Sequence, residues 1–132
     1  LKTILGTGNL VSLSNVARAS LVAMMAGADF IKTSTGKESV NANLAVSLVM
    51  LRGIRDFHHR TGTMVGFKPA GGIRAARDAI SYLVLMREEL GLPWLNVNYF
   101  RIGASGLLGD ISRQLEHYLS GRYSASYRHP MG

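Results

Sequence analysis

Short apolar, strand-like segments recur along this chain at intervals of about 30 residues, each followed by a glycine-containing loop and a helical pattern. The segments are residues 3–5, 30–33, 65–68 and 100–103. Strand alternating with helix at this spacing dictates a parallel sheet, because consecutive parallel strands need a crossover long enough to hold a helix. Four such βα units fit either an open doubly wound sheet or half of an eight-stranded barrel. No Gly-x-Gly-x-x-Gly follows a strand, which counts against a dinucleotide-binding sheet. The expected fold is therefore α/β, with four βα units forming the C-terminal half of a (β/α)8 barrel. Residues 1–122 are expected to form the domain and residues 123–132 a flexible tail.

The helical patterns have recognisable ends. Ser14-Asn15 supply capping residues ahead of Val16, Ala19, Ala23 and Ala26, and Gly27 stops that helix. The second pattern sets Leu44, Leu48 and Leu51 on one line and Val46, Met50 and Ile54 on the next. The third carries Ile80, Leu83, Val84 and Leu90 and ends at Gly91-Leu92-Pro93. The fourth carries Leu108, Ile111, Leu115 and Leu119 before Gly121. Met24, Met25, Met50 and Met86 share helical spacing and are expected in the core.

Two lysines interrupt the strands. Phe30-Ile31-Lys32 and Gly66-Phe67-Lys68 each run from apolar residues straight into a lysine, and a basic, glycine-containing loop follows at once. A lysine is rarely buried without a purpose, since its ammonium loses water that an interior seldom replaces. In a parallel barrel, the carboxyl ends of the strands face the active site. Adjacent strands lie about 4.8 Å apart, so inward-pointing Lys32 and Lys68 come close, and each ammonium disfavours the other. A lysine made partly neutral near pH 7 attacks carbonyls and forms a Schiff base. The bland alternative is that one or both snorkel outward.

The loops offer an anion site. Gly71-Gly72-Ile73-Arg74 is expected to open a helix, where backbone N–H groups approach a ligand closely. Gly103-Ala104-Ser105-Gly106 repeats the device after the next strand, and Gly36-Lys37 adds a further charged contribution. These glycines also serve simple tight turns.

The net charge of +7, from 15 Lys+Arg against 8 Asp+Glu, calls for an anionic partner or an acidic portion elsewhere. The bases are scattered; Arg52, Arg55, Arg87 and Arg113 read as solvated helix faces, so nucleic acid is not the expected partner. A hydrophobic content of 47% is globular. The chain has no cysteine, hence no disulfide or thiolate metal site. No apolar run spans a membrane and no secretory signal appears at the N-terminus. His58, His59, His117 and His129 form neither a ligand set nor a triad and read as surface residues. Asp29 reads as a rim residue or a turn former. The opening at Leu1, directly in a strand, suggests that upstream chain is missing. Leu5, Phe30, Ile31, Phe67 and Ile102 would then face an open side.

At the two lysine motifs, Asp29-Phe30-Ile31-Lys32-Thr33-Ser34-Thr35-Gly36-Lys37 and Gly66-Phe67-Lys68-Pro69-Ala70-Gly71-Gly72-Ile73-Arg74, the chain resembles the deoxyribose-phosphate aldolases, class I aldolases on a TIM barrel. Phe100-Arg101-Ile102-Gly103-Ala104-Ser105 is similar to their last strand, and the likeness is greatest to the longer, eukaryotic-like branch. The resemblance implies reversible cleavage of 2-deoxy-D-ribose 5-phosphate to acetaldehyde and D-glyceraldehyde 3-phosphate, in the cytoplasm, with no cofactor and no metal. It implies that Lys32 is the Schiff-base lysine and that Lys68 perturbs it and moves protons. Thr35, Gly36 and Lys37 would contact substrate. Gly71, Gly72, Ile73, Arg74, Gly103, Ser105 and Gly106 would cradle phosphate. The implied partners are a phosphorylated sugar and the missing N-terminal barrel half, with a homo-oligomer also compatible. An aspartate that the family places on an earlier strand has no counterpart here, and Gly106 stands where a hydroxyl residue is common. Tyr127 is the match for a C-terminal tyrosine of the family. The alternative is a non-catalytic half-barrel that binds phosphosugars.

Overall fold

A computed structural model describes residues 1–38, 40–125 and 127–128. Three parallel strands, β1 (Lys2–Ile4), β2 (Phe30–Lys32) and β3 (Gly66–Lys68), lie side by side in chain order. Helices α1 (Leu13–Met25), α2 (Leu44–Thr61), α3 (Ala76–Leu90) and α4 (Leu107–Ser120) alternate with them. The register sets Ile4 beside Lys32 and Lys32 beside Lys68.

The fourth expected strand is reduced to two parallel bridges, Phe67 with Phe100 and Ala70 with Gly103. Proline chemistry explains the gap. Main-chain bonds run from Phe67 N to Tyr99 O (2.8 Å), from Arg101 N to Phe67 O (3.2 Å) and from Gly103 N to Pro69 O (2.8 Å). The bond that would join these rungs needs an N–H on Pro69, which has none.

Each helix start and stop has a local cause. Ser12, not Ser14 or Asn15, caps α1 by accepting from Asn15 N, and Asn43 caps α2 by accepting from Val46 N. Gly62 and Gly121 close α2 and α4 in the left-handed region. The core lies between the sheet and the helices, built on Ile31, Phe67, Met50, Leu51, Ile54 and Met86, all fully buried. Trp94 seals its lower edge, donating from Nε1 to Val65 O at 3.0 Å.

This packing corrects several expectations. Ile31 and Phe67 do not face an open side; strand alternation turns them toward the helices because their neighbours Lys32 and Lys68 point the other way. Phe30 is buried, and Leu5 and Ile102 are half-buried against the core clusters. On α3 the sheet-facing row is Ala79, Tyr82, Met86 and Leu90, which leaves Ile80, Leu83 and Val84 exposed. On α4 only Leu107 is buried, and Leu108, Leu115 and Leu119 are exposed. Met25 projects into solvent from the end of α1, unlike Met24, Met50 and Met86. Arg52 and Arg55 both reach Glu89 across the α2–α3 seam, and Arg113 is half-buried, so these are not simply solvated faces. His58 is half-buried, edge-on to the Trp94 ring at 5.0 Å, and His117 stacks on Tyr123 at 4.1 Å. Arg128 pairs with Glu116 at 2.6 Å, so described residues of the expected tail lean on α4. The rest of that segment, residues 126 and 129–132 with His129 among them, lies outside the described residues. No described helix is long and apolar enough to cross a membrane.

Candidate active site

Beyond Lys32 and Lys68 the pairing between the β2 and β3 chains passes from main chain to side chains. Thr33 N still reaches Lys68 O at 3.3 Å. The fully buried Thr33 hydroxyl then donates to Ala70 O (3.0 Å) and accepts from Ala70 N (2.9 Å). Ser34 Oγ, also fully buried, lies 2.8 Å from the same carbonyl oxygen and accepts from Gly36 N at 3.2 Å. Asn41 completes the mouth, its Oδ1 2.9 Å from Ser34 Oγ and its amide donating to Glu38 O. These bonds hold the loops after β2 and β3 together just above the two lysines.

A polar cleft of about 380 Å³ opens there. It gathers Lys32, Thr35, Gly36, Gly71, Gly72, Ile73, Arg74, Gly103 and Ser105. Lys68 stands next to it: a Cβ on Gly103 would come within 3.1 Å of Lys68 Cε, so the bare glycine leaves room for the lysine stem. Lys37 is exposed and Gly106 is half-buried at the N-cap of α4; neither lines the cleft. Tyr127 is exposed. Asp29 lies at the other end of β2 from Lys32, where its carbonyl accepts from Gly66 N, and takes no part in the cleft. A larger cleft of about 430 Å³ between α1 and α2 is lined by Ala17, Leu21, Met25 and Phe57, far more apolar and on the helix layer. Among the described residues no three His, Asp or Glu side chains gather as a metal site would require.

One expectation about the loops needs correcting. Gly71-Gly72-Ile73-Arg74 does not open α3, which starts at Ala76. The helix start is already occupied, because Ala75 N donates to Asp78 (3.2 Å) and Ala76 N donates to Asp110 of α4 (2.7 Å). Gly71 and Gly72 instead form a bend with φ of 91° and 82°, a region that other residues avoid. No side chain caps the start of α4, directly after Ser105-Gly106. The cleft is thus lined by the Gly71-Gly72 bend, Arg74 and residues 103–105 ahead of α4, not by two helix ends.

Sequence reasoning passed over Lys2 and Arg101. By alternation Lys2 shares the inner face of the sheet with Lys32 and Lys68. Lys68 is held below the usual lysine range, first by burial and then by the positive charges of Lys2, Lys32 and Arg101, with a Lys2 hydrogen bond acting the same way. The sequence signal was a basic residue inside each strand-like run, in Leu1-Lys2-Thr3-Ile4 and in Phe100-Arg101-Ile102. Tyr82, under the outer wall of the cleft, is pushed up chiefly by burial and, less, by Asp78, with the Ser47 hydroxyl opposing.

A parallel α/β sheet with paired lysines at its strand ends, beside a polar glycine-rich cleft, has the layout of a barrel-type enzyme. The model of the DeoC/LacD family aldolases matches residues 6–92, and the chain belongs to that family. It is 63% identical over 131 residues to the mouse deoxyribose-phosphate aldolase and 61% identical over 131 residues to the human one. Each match takes in 99% of this chain and 41% of the relative, so the chain spans about two fifths of the length of these curated relatives. A Toxoplasma gondii ME49 crystal structure, named as a deoxyribose-phosphate aldolase, superposes with a TM-score of 0.76 at 23% identity. That superposition covers 96% of this chain and 48% of the other, and it shows the fold: a partial TIM barrel.

Proposed function

We propose that this chain contributes the Schiff-base half of an aldolase that cleaves 2-deoxy-D-ribose 5-phosphate to acetaldehyde and D-glyceraldehyde 3-phosphate. The observation that carries the reading is the register of Lys32 with Lys68 at the ends of adjacent strands, Lys32 lining the polar cleft and Lys68 beside it. In this reading the Lys32 amine attacks C1 of the open-chain sugar and loses water to give an iminium ion. A base takes the proton from the C3 hydroxyl, the C2–C3 bond breaks, and glyceraldehyde 3-phosphate leaves. The electron pair of that bond stays on an enamine, which is protonated at C2 and hydrolysed to acetaldehyde. Lys68, beside Lys32 and held below the usual lysine range by burial and neighbouring cations, is the group placed to exchange protons. Thr35 and Gly36 line the sugar side of the cleft, while Gly71, Gly72, Ile73, Arg74, Gly103 and Ser105 face the 5-phosphate. Lys37 and Gly106 join only if their loops close on substrate.

Turnover in this reading draws on the remaining barrel strands, and the setting is deoxyribonucleoside catabolism in the cytoplasm. The test is borohydride trapping with deoxyribose 5-phosphate, on the chain as part of a complete barrel. A reduced adduct on Lys32 is expected. An adduct on Lys68 alone reverses the two roles, and the absence of any adduct refutes the aldolase reading in favour of phosphosugar binding without catalysis.

A further inference from the structure

We propose that Arg101 is a positioning residue for Lys68: a pinned cation, in register with it on the inner face of the sheet, that sets the protonation of that amine. The proposal rests on the reading of Lys68 as the proton-transfer group. The bridges of Phe67 with Phe100 and of Ala70 with Gly103 share one offset, which places Arg101 opposite Lys68. Arg101 thus completes the row that Ile4, Lys32 and Lys68 begin.

A long basic side chain at an exposed position would ordinarily swing into water. Arg101 is held instead. Its Nε donates to Val97 O at 3.1 Å, and its guanidinium carbon stands 4.7 Å from the centroid of the Phe30 ring. Phe30 is a fixed shelf because Gly66 makes room for it; a Cβ on Gly66 would fall 2.5–2.7 Å from three ring atoms. Phe30 and Gly66 are register partners, two residues before Lys32 and Lys68. The ring therefore holds the guanidinium one layer beneath the amine pair.

The charged groups acting on Lys68 are Lys2 from β1, Lys32 from β2 and Arg101 from the fourth segment, all of them cations. Lys32 changes charge during turnover, cationic as the iminium ion and neutral once the enamine has formed. A guanidinium keeps its charge throughout. Arg101 is thus the constant member of the set, still acting on Lys68 at the enamine stage, when the Lys32 nitrogen carries no charge. That is the stage at which Lys68 has protons to move.

The test is a ¹³Cε-lysine NMR titration of the chain, with the Lys68 signal assigned by its loss in Lys68→Arg. In Arg101→Gln the Lys68 midpoint is expected to rise by about half to one pH unit, the effect of losing one nearby charge in partly solvated surroundings. Arg101→Lys keeps a charge without the fork that fixes it and should fall between parent and Gln. Phe30→Leu leaves the arginine but removes its shelf, and should raise the midpoint in the same direction. A Lys68 midpoint within about 0.2 of the parent in Arg101→Gln overturns the proposal. If that variant does not fold, the same absence of change in both Arg101→Lys and Phe30→Leu overturns it. The titration needs no turnover, so it separates the two ideas. A failed borohydride trap sinks the aldolase reading and leaves this one standing, whereas an unmoved midpoint does the reverse.

Discussion

Replacing Gly66 with alanine should destabilise the chain by about 2 kcal/mol, although Gly66 is outside the positive-φ region and alanine suits its backbone. The added methyl would lie 2.5, 2.6 and 2.7 Å from Cε1, Cζ and Cδ1 of Phe30. Carbon atoms rest near 3.5–4.0 Å, so the overlap is roughly 1 Å at three atoms together. The strands cannot part to relieve it, since Phe30 and Gly66 are paired in the ladder. The ring must turn, away from a site where it is 7% exposed and lies beneath Arg101. Overpacking of this kind costs about 1–3 kcal/mol, and the lost ring–guanidinium contact adds about 0.5–1 kcal/mol. Lower entropy of the unfolded alanine chain returns about 0.4–1 kcal/mol. Equilibrium urea unfolding at constant m measures the difference. The decisive control is Phe30→Ala, which removes all three ring atoms that the methyl would meet. In that background Gly66→Ala should cost less than about 0.5 kcal/mol, a coupling that only direct contact produces. An equal cost in both backgrounds would refute the steric argument.

Lys68→Met should raise the urea midpoint at neutral pH. Lys68 is held below 10.5, so its charge opposes folding in full below the folded-state value, and that penalty fades as pH climbs toward the unfolded value. The advantage of the methionine variant should shrink accordingly between neutral and strongly alkaline pH. Gly72→Val meets no neighbouring atom but must adopt φ 82°, so the bend should shift. Binding of deoxyribose 5-phosphate should weaken about tenfold while that of unphosphorylated deoxyribose hardly changes; equal losses would point to general disruption. Asn43→Ala removes the acceptor of Val46 N at 2.8 Å and should cost about 1 kcal/mol in urea unfolding, with the strand register intact.

The strand ends were legible in the sequence because an apolar run interrupted by lysine has few structural meanings. Lys32 and Lys68 end their strands as that pattern implies. Helix ends were legible where glycine or a capping side chain set them, as at Gly91 and Gly121. What stayed hidden depended on partners distant in the chain. On α3, Ile80, Leu83 and Val84 are as apolar as the row that is buried, and only the sheet chooses between them. The occupied start of α3 is set by Asp110, 34 residues downstream of Ala76, which no local pattern announces. The shortened fourth strand follows from Pro69, visible in the sequence, yet its effect depends on which residue faces it. Lys2 and Arg101 were passed over because each looks like an ordinary surface base until alternation assigns it to the inner face.

The hydroxyl bridge between Thr33 and Ala70 also bears on how this site can vary in descent. Backbone pairing is common to all residues, so point substitution scarcely changes the distance between strands that are laddered by main chain alone. Here the last rung is a side chain, with Thr33 Oγ1 giving and taking one bond each with Ala70 and Ser34 Oγ against the same carbonyl. A single codon change at position 33 or 34 can therefore widen or tilt the mouth above the two amines without altering either lysine. The lysine pair and the aperture over it are separately heritable.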